Sequence, residues 1–292
     1  MSTRTGTSMA VAAMATVQIG IAGAVGLIDE LGATGAAWLR LAAGGLLLAL
    51  LVRPRLRSFT AAQLRTAALL GLATAGTTIL FMVAAGRLPL GTASAIEFLG
   101  PLGVAAARSR RRSAAWPLLA AAGVLLLTTP WRGGTDLVGV AYALAAAACW
   151  AAYIVLTQRV GDEMAGLQGL AVSMPVAAVA ATLTVPPTTF GRLTPGDLLL
   201  GAGLGLLLVV AYGLEMHALR RLTTAAFGTL MALEPAIALV IGAVALHQIP
   251  DLAGAVGVAL VVTAGVGAIR SGARPAPAHQ AEPLLCSPIR TG

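Results

Sequence analysis

Apolar residues run along this chain in blocks of about 18 or more, separated by short polar joints, instead of alternating with a polar face. Such blocks predict membrane-crossing helices. Ten can be laid out, at 9–28, 35–52, 66–85, 89–107, 114–129, 138–157, 167–185, 198–218, 223–246 and 251–269. The block from Met9 to Leu27 is too long for the apolar core of a signal peptide and is followed by further spans, so it is read as a retained first helix. The fifth block is short, and Trp116 and Trp131 flank it as interfacial anchors. Short joints favour a compact bundle of antiparallel neighbours. The Pro- and Ala-rich tail from Ser271 is expected to be disordered.

Composition agrees with a bilayer as the surrounding medium. Of 292 residues 58% are hydrophobic and 10% charged, and the mean hydropathy is +0.89. The net charge of +8 comes from arginine, since the chain has no lysine. A basic balance can point to nucleic acid, but these arginines sit in joints beside apolar blocks, which is the positive-inside pattern. With ten spans, fifteen arginines fall on one side, including the run at 108–113. The other side has three, Arg87, Arg132 and Arg192, and Arg40 lies within the second block. Both termini are therefore expected in the cytoplasm of a bacterial cell, and the 108–113 run reads as a topology anchor, not a phosphate or nucleic-acid site. Cys149 and Cys286 suggest neither a disulfide nor a metal site. No protease, hydrolase, nucleotide or dinucleotide motif is present, so neither an enzyme nor a cofactor is expected.

The chain repeats itself at an offset of 134 residues. Met82 pairs with Met216, Arg87 with Arg221, Leu99 with Leu233, Pro101 with Pro235 and Gly123 with Gly257. Five spans per repeat is an odd number, so two repeats at 9–129 and 138–269 would insert with opposite orientation, between an N-terminal stretch 1–8 and a tail 270–292. Inverted repeats are a transporter architecture, with the site near the midplane. The expected fold is thus all-α integral membrane, with ten transmembrane helices in two inverted five-helix repeats.

Two acids lie inside these spans. Glu97 is followed four residues on by Pro101, and Glu234 at once by Pro235. Both sit roughly 15–20 Å from the basic ends of their helices, near the middle of a core about 30 Å thick. A charge at that depth is costly and marks a functional site by default; each acid would hold either a proton or a substrate cation. The alternative is a protonated glutamate that only joins helices. The prolines each remove a backbone hydrogen bond, giving either a plain kink or a break at a binding site. Arg40, some five residues into its block, either snorkels outward or turns inward to hold a carboxylate. Glu215 lies one to two turns before Arg220 and Arg221, which favours an interfacial ion pair over a site, though it stays a candidate. His217 points away from it around the helix. Gln18, Trp150, Tyr153 and Gln158 either line a cavity or hold helices together.

The segments LPLGTASAIEFLGPLGVA (88–105), AACWAAYIVLTQRVG (147–161) and LEMHALRRLTTAAFGTLMALEPAIALV (214–240) resemble the ten-helix EamA type of the drug/metabolite transporter superfamily, and within it the bacterial threonine/homoserine exporters. Where that family often ends its ninth helix in Gly-Glu, this chain has His247-Gln248. The resemblance implies efflux of small amphiphilic metabolites, amino acids such as threonine or homoserine, driven by proton exchange. The partners so implied are a small-molecule substrate, protons and the bilayer; a homodimer is compatible with the chain. Two other readings stay open. One is efflux of lipophilic cations, against which an essential Arg40 would count. The other is a non-transporting membrane protein, in which both glutamates would be replaceable.

Overall fold

A computed structural model describes residues 3–108, 115–128, 136–164, 167–219 and 230–272. Among these residues the chain is helical, with no strand. The helices are α1 (Thr3–Val25), α2 (Ile28–Val52), α3 (Ala61–Ala85), α4 (Leu90–Glu97), α5 (Leu99–Arg108), α6 (Ala115–Thr128), α7 (Leu137–Glu163), α8 (Gln168–Thr182), the single turn α9 (Pro187–Phe190), α10 (Pro195–Leu219), α11 (Glu234–Ala245) and α12 (Leu252–Gly272). Five of them, α1, α2, α3, α7 and α10, are long and apolar enough to cross a membrane. Shorter apolar helices stand at the other five places where the sequence predicts a span.

The helix surfaces carry large exposed apolar side chains, and the largely apolar core admits a few polar ones. Leu51, Leu118, Leu199 and Val244 are each more than 60% exposed on helix surfaces, while Gln18, Arg40, Thr74, Ser94 and Glu234 are buried. Apolar side chains outside and a few polar ones inside suit a solvent of lipid chains, in which helices also satisfy their own backbone. Side-chain caps begin several helices. Thr60 and Gln63 form a reciprocal capping box at α3, and Thr194 and Asp197 form the same arrangement at α10. Asp136 caps α7 through the Gly139 N–H, and Asp251 accepts from Gly254 at the start of α12.

Small residues then let the helices approach closely. Where α6 crosses α12, a Cβ on Gly123 would come within 2.7 Å of the Gly257 carbonyl oxygen, and one on Gly257 within 2.8 Å of that of Gly123. The helix pairs obey one rule. If each helix of the first half is exchanged for the one 134 residues on, α1 against α10 becomes α7 against α3, α3 against α8 becomes α10 against α2, and α5 against α7 becomes α11 against α1; all six contacts are present.

Several boundaries differ from expectation. α1 starts at Thr3, so 3–8 continue the first helix, and α12 runs through Gly272, beyond the expected start of the tail. The remaining tail, Trp131, Arg220 and Arg221 lie outside the described residues. α2 starts at Ile28, seven residues early, because Asp29 and Glu30 belong to a helical turn set off by a bend at Gly32. Gly32 has φ 73°, a conformation open to glycine because it has no Cβ. Trp116 packs beside Leu102, Ala120 and Ala264.

The two spans in which a proline follows a glutamate are interrupted one turn before or beside that proline, whereas α8 runs unbroken through Pro175. α4 gives way to α5 at Phe98, and the helical turn at Leu230–Met231 gives way to α11 at Ala232–Leu233. Pro101 has no N–H for the Glu97 carbonyl, and Pro235 none for that of Met231, and each ring crowds that carbonyl. The residues at the breaks keep right-handed helical angles, so the turns are loosened without being unwound.

Candidate functional site: a polar cavity inside the bundle

The two loosened turns border one cavity of about 150 Å³, bordered also by α1, α2, α3, α7 and α10. Its wall carries Arg40, Glu97, Trp150, Tyr153, Glu215 and Glu234. Six of the seven side chains proposed from sequence thus meet in one place. The seventh, Gln18, stands behind the wall, and its Nε2 donates to Glu234 Oε1 at 3.3 Å. Gln158 is exposed and does not reach the cavity. His217 is exposed and turns its Nδ1 to the Gly213 carbonyl, away from Glu215 as helix geometry requires.

Arg40 turns inward. It stands eight residues beyond the Gly32 bend, about 12 Å along the helix, so it is deeper than a snorkelling residue near the outer end. Its Nε is buried without a hydrogen-bond partner. Among the described residues no acid lies within 4.0 Å of it, the one ion pair being Arg87 with Asp136 at 2.9 Å. Arg40 still interacts electrostatically with Glu97 and Glu234 across the cavity. Glu215 also departs from expectation. Its side chain lines the cavity, three residues and so nearly one turn beyond Tyr212 on the same helix face.

The remaining wall was not anticipated. Thr74, Thr77 and Thr78 of α3 and Tyr212 of α10 line the cavity. Thr77 Oγ1 lies 2.8 Å from Glu97 Oε1 and 3.3 Å from the Ala146 carbonyl oxygen. With one hydrogen and two acceptors, it can serve Glu97 as donor, or accept from it while donating to Ala146. The signal was present as threonines at i, i+3 and i+4 of an apolar helix, one face by helical periodicity. Trp150 links the wall to the first loosened turn through an edge-on contact with Phe98, centroids 6.2 Å apart. Gln248 also gains a role. Its Oε1 accepts from the Leu90 N–H at 2.7 Å, tying the end of α11 to the start of α4.

A partly open cavity with one guanidinium, three carboxyl groups and hydroxyls at its wall can hold a small ligand bearing both charges. Its surroundings, a bundle with a lipid-like exterior, mark the class as a membrane carrier. The chain belongs to the EamA-like transporter family, whose pattern matches residues 137–269. It is 38% identical over 247 residues, 81% of each chain, to the threonine/homoserine exporter RhtA of Salmonella typhimurium (strain LT2). It is equally similar, over the same share of each chain, to the exporter of that name from Escherichia coli (strain K12). A crystal structure of a protein only 18% identical shares the fold, with a TM-score of 0.57 over 92% of this chain and 98% of its own. Relatives of this kind are transporters, not enzymes.

Proposed function

We propose that the protein is a secondary transporter of the bacterial inner membrane that exports small zwitterionic metabolites, amino acids such as threonine and homoserine, in exchange for protons. Ten spans in two inverted five-helix repeats, with both termini cytoplasmic, would rock about the cavity by alternating access. The observation that carries this reading is the unpaired Arg40 facing Glu97 and Glu234 across one small chamber. Arg40 takes the substrate carboxylate, and the glutamates take its ammonium or a proton in its place. The names of the relatives supply the substrates and the direction of transport.

The repeat is supported by features 134 residues apart: the capping boxes at Thr60 and Thr194, the loosened turns at Phe98 and Ala232, and the crossing glycines Gly123 and Gly257. The arginine distribution supports the orientation. One chain lines the whole chamber, so the reading does not need a second copy.

Efflux of lipophilic cations fits less well. About 150 Å³ lies below the roughly 300–1,000 Å³ of pockets for drug-sized ligands, and a cation gains nothing from Arg40. The test is efflux of threonine from loaded proteoliposomes under an imposed pH gradient. Wild-type protein is expected to accelerate efflux, and Glu97→Gln and Glu234→Gln to lose that acceleration. Unchanged efflux in both variants would remove the glutamates from the mechanism.

A further inference from the structure

We propose that Glu234 and Gln18 form an acid–amide pair that is the proton site of the transport cycle, with Gln18 as its positioning residue and Glu97 left to hold the substrate ammonium. This deepens the exporter reading above and rests on it.

The pair joins α1 to the first residue of α11. Gln18 is 1% exposed and Glu234 8%. One hydrogen bond is made, from Gln18 Nε2 to Glu234 Oε1 at 3.3 Å. The other two oxygens, Gln18 Oε1 and Glu234 Oε2, are both buried and have no partner within the protein. Buried polar atoms are nearly always paired, and two neighbouring orphans call for an explanation. Both are acceptors, so neither can satisfy the other while Glu234 is a carboxylate. One proton on Glu234 Oε2 changes the count. The acid O–H can then donate to Gln18 Oε1 while the amide N–H donates to Oε1 of the acid, and each orphan gains its partner at once. Turning the amide over does not alter this, since it always presents one donor and one acceptor to a group that, when ionised, only accepts.

Glu97 is held differently. Its Oε1 lies 2.8 Å from the Thr77 hydroxyl, which can donate to it, so its carboxylate has a partner available without a proton. It also interacts with Arg40 across the cavity. The charged groups that face Glu234 are Arg40 from α2, Glu97 from α4 and Glu215 from α10; Tyr153 from α7 and Tyr212 from α10 complete the titratable wall. A substrate ammonium entering among three acids adds a positive charge beside Glu234 and drives its proton off. A proton on Glu234 in turn removes one of the charges that attract the ammonium. The two ligands therefore exclude each other, as exchange requires.

The test is proton release on threonine binding, followed with a pH indicator in weakly buffered, detergent-solubilised full-length protein, with threonine binding measured in parallel by calorimetry. Wild type is expected to release protons as threonine saturates. Glu234→Gln is expected to bind threonine without release. Glu97→Gln is expected to need more threonine, by about tenfold, yet to release protons at saturation. Gln18→Leu is expected to shift the pH at which release is half-maximal, and Gln18→Asn to restore part of that shift. Release that persists in Glu234→Gln, or vanishes in Glu97→Gln at saturating threonine, overturns the assignment while leaving the exporter reading in place. A Gln18→Leu profile identical to wild type removes Gln18 from the proton site. A wild type that binds no threonine at all overturns the exporter reading, and this proposal falls with it.

Discussion

The two halves of the chain contribute to the cavity from equivalent positions with different chemistry. At the 134-residue offset Thr74 faces the chamber opposite Leu208, Thr78 opposite Tyr212, Phe81 opposite Glu215 and Glu97 opposite Met231, and all eight line the same wall. Two nearly matching scaffolds therefore place side chains, and the side chains themselves carry the asymmetry. Under the proposed orientation Phe81 lines the chamber near the outer end of α3, and Glu215 lines it near the inner end of α10. Glu234 has as its counterpart Gly100, which packs where an acid has no room, since a Cβ there would run into the Ala147 carbonyl of α7. Under the repeat proposed above, a carrier can in this way hold one unsymmetrical ligand.

The largest effect should come from forcing this asymmetry away. Gly100→Glu places a side chain against backbone and buries a carboxyl group with no partner, a cost of about 3 kcal/mol or more. Little folded protein should be recovered from membranes, as judged by size-exclusion chromatography. Glu215→Phe instead gives the inner wall the residue of its counterpart. The protein should fold, and threonine transport should fall by about tenfold, near 1.4 kcal/mol, measured as the initial rate in proteoliposomes. Thr77→Val leaves the Glu97 carboxylate without its hydroxyl donor, and threonine affinity by calorimetry should weaken by roughly 1.5–3 kcal/mol, with Thr77→Ser close to wild type.

The smallest effect concerns the joints rather than the chamber. The Gly139 N–H, and after it the Arg87 guanidinium, hold the Asp136 carboxyl below the usual carboxylate range. Its contribution is therefore present at neutral pH and is lost as pH falls through its folded-state value. Asp136→Asn should lower the unfolding temperature slightly at pH 7. The gap to wild type should narrow as pH falls below about 4 and close only below the lowered folded-state value, where both carry a neutral side chain.

The site was legible in the sequence because acids and arginine inside apolar helices are expensive and therefore stand out singly. Glu97, Glu234 and Arg40 were visible for that reason. Other parts were hidden by local alternatives. Glu215 has arginines nearby in sequence that offered it a partner, and only packing directs it to the cavity. Thr77 is unremarkable in an apolar helix until α4 brings Glu97 within reach, and Tyr212 until packing places it on the cavity wall. The early start of α2 was obscured because Asp29 and Glu30 read as a loop, whereas the bend is absorbed by Gly32.

Recognition of a zwitterion across the chamber is tested most directly by thermal stabilisation of the purified protein with matched ligands. Threonine, its methyl ester and a lipophilic quaternary amine should be compared on wild type and on Arg40→Gln. The account predicts that threonine alone stabilises wild type, and that Arg40→Gln loses this stabilisation while remaining folded. Equal stabilisation by the ester or the quaternary amine, unchanged in Arg40→Gln, would contradict it.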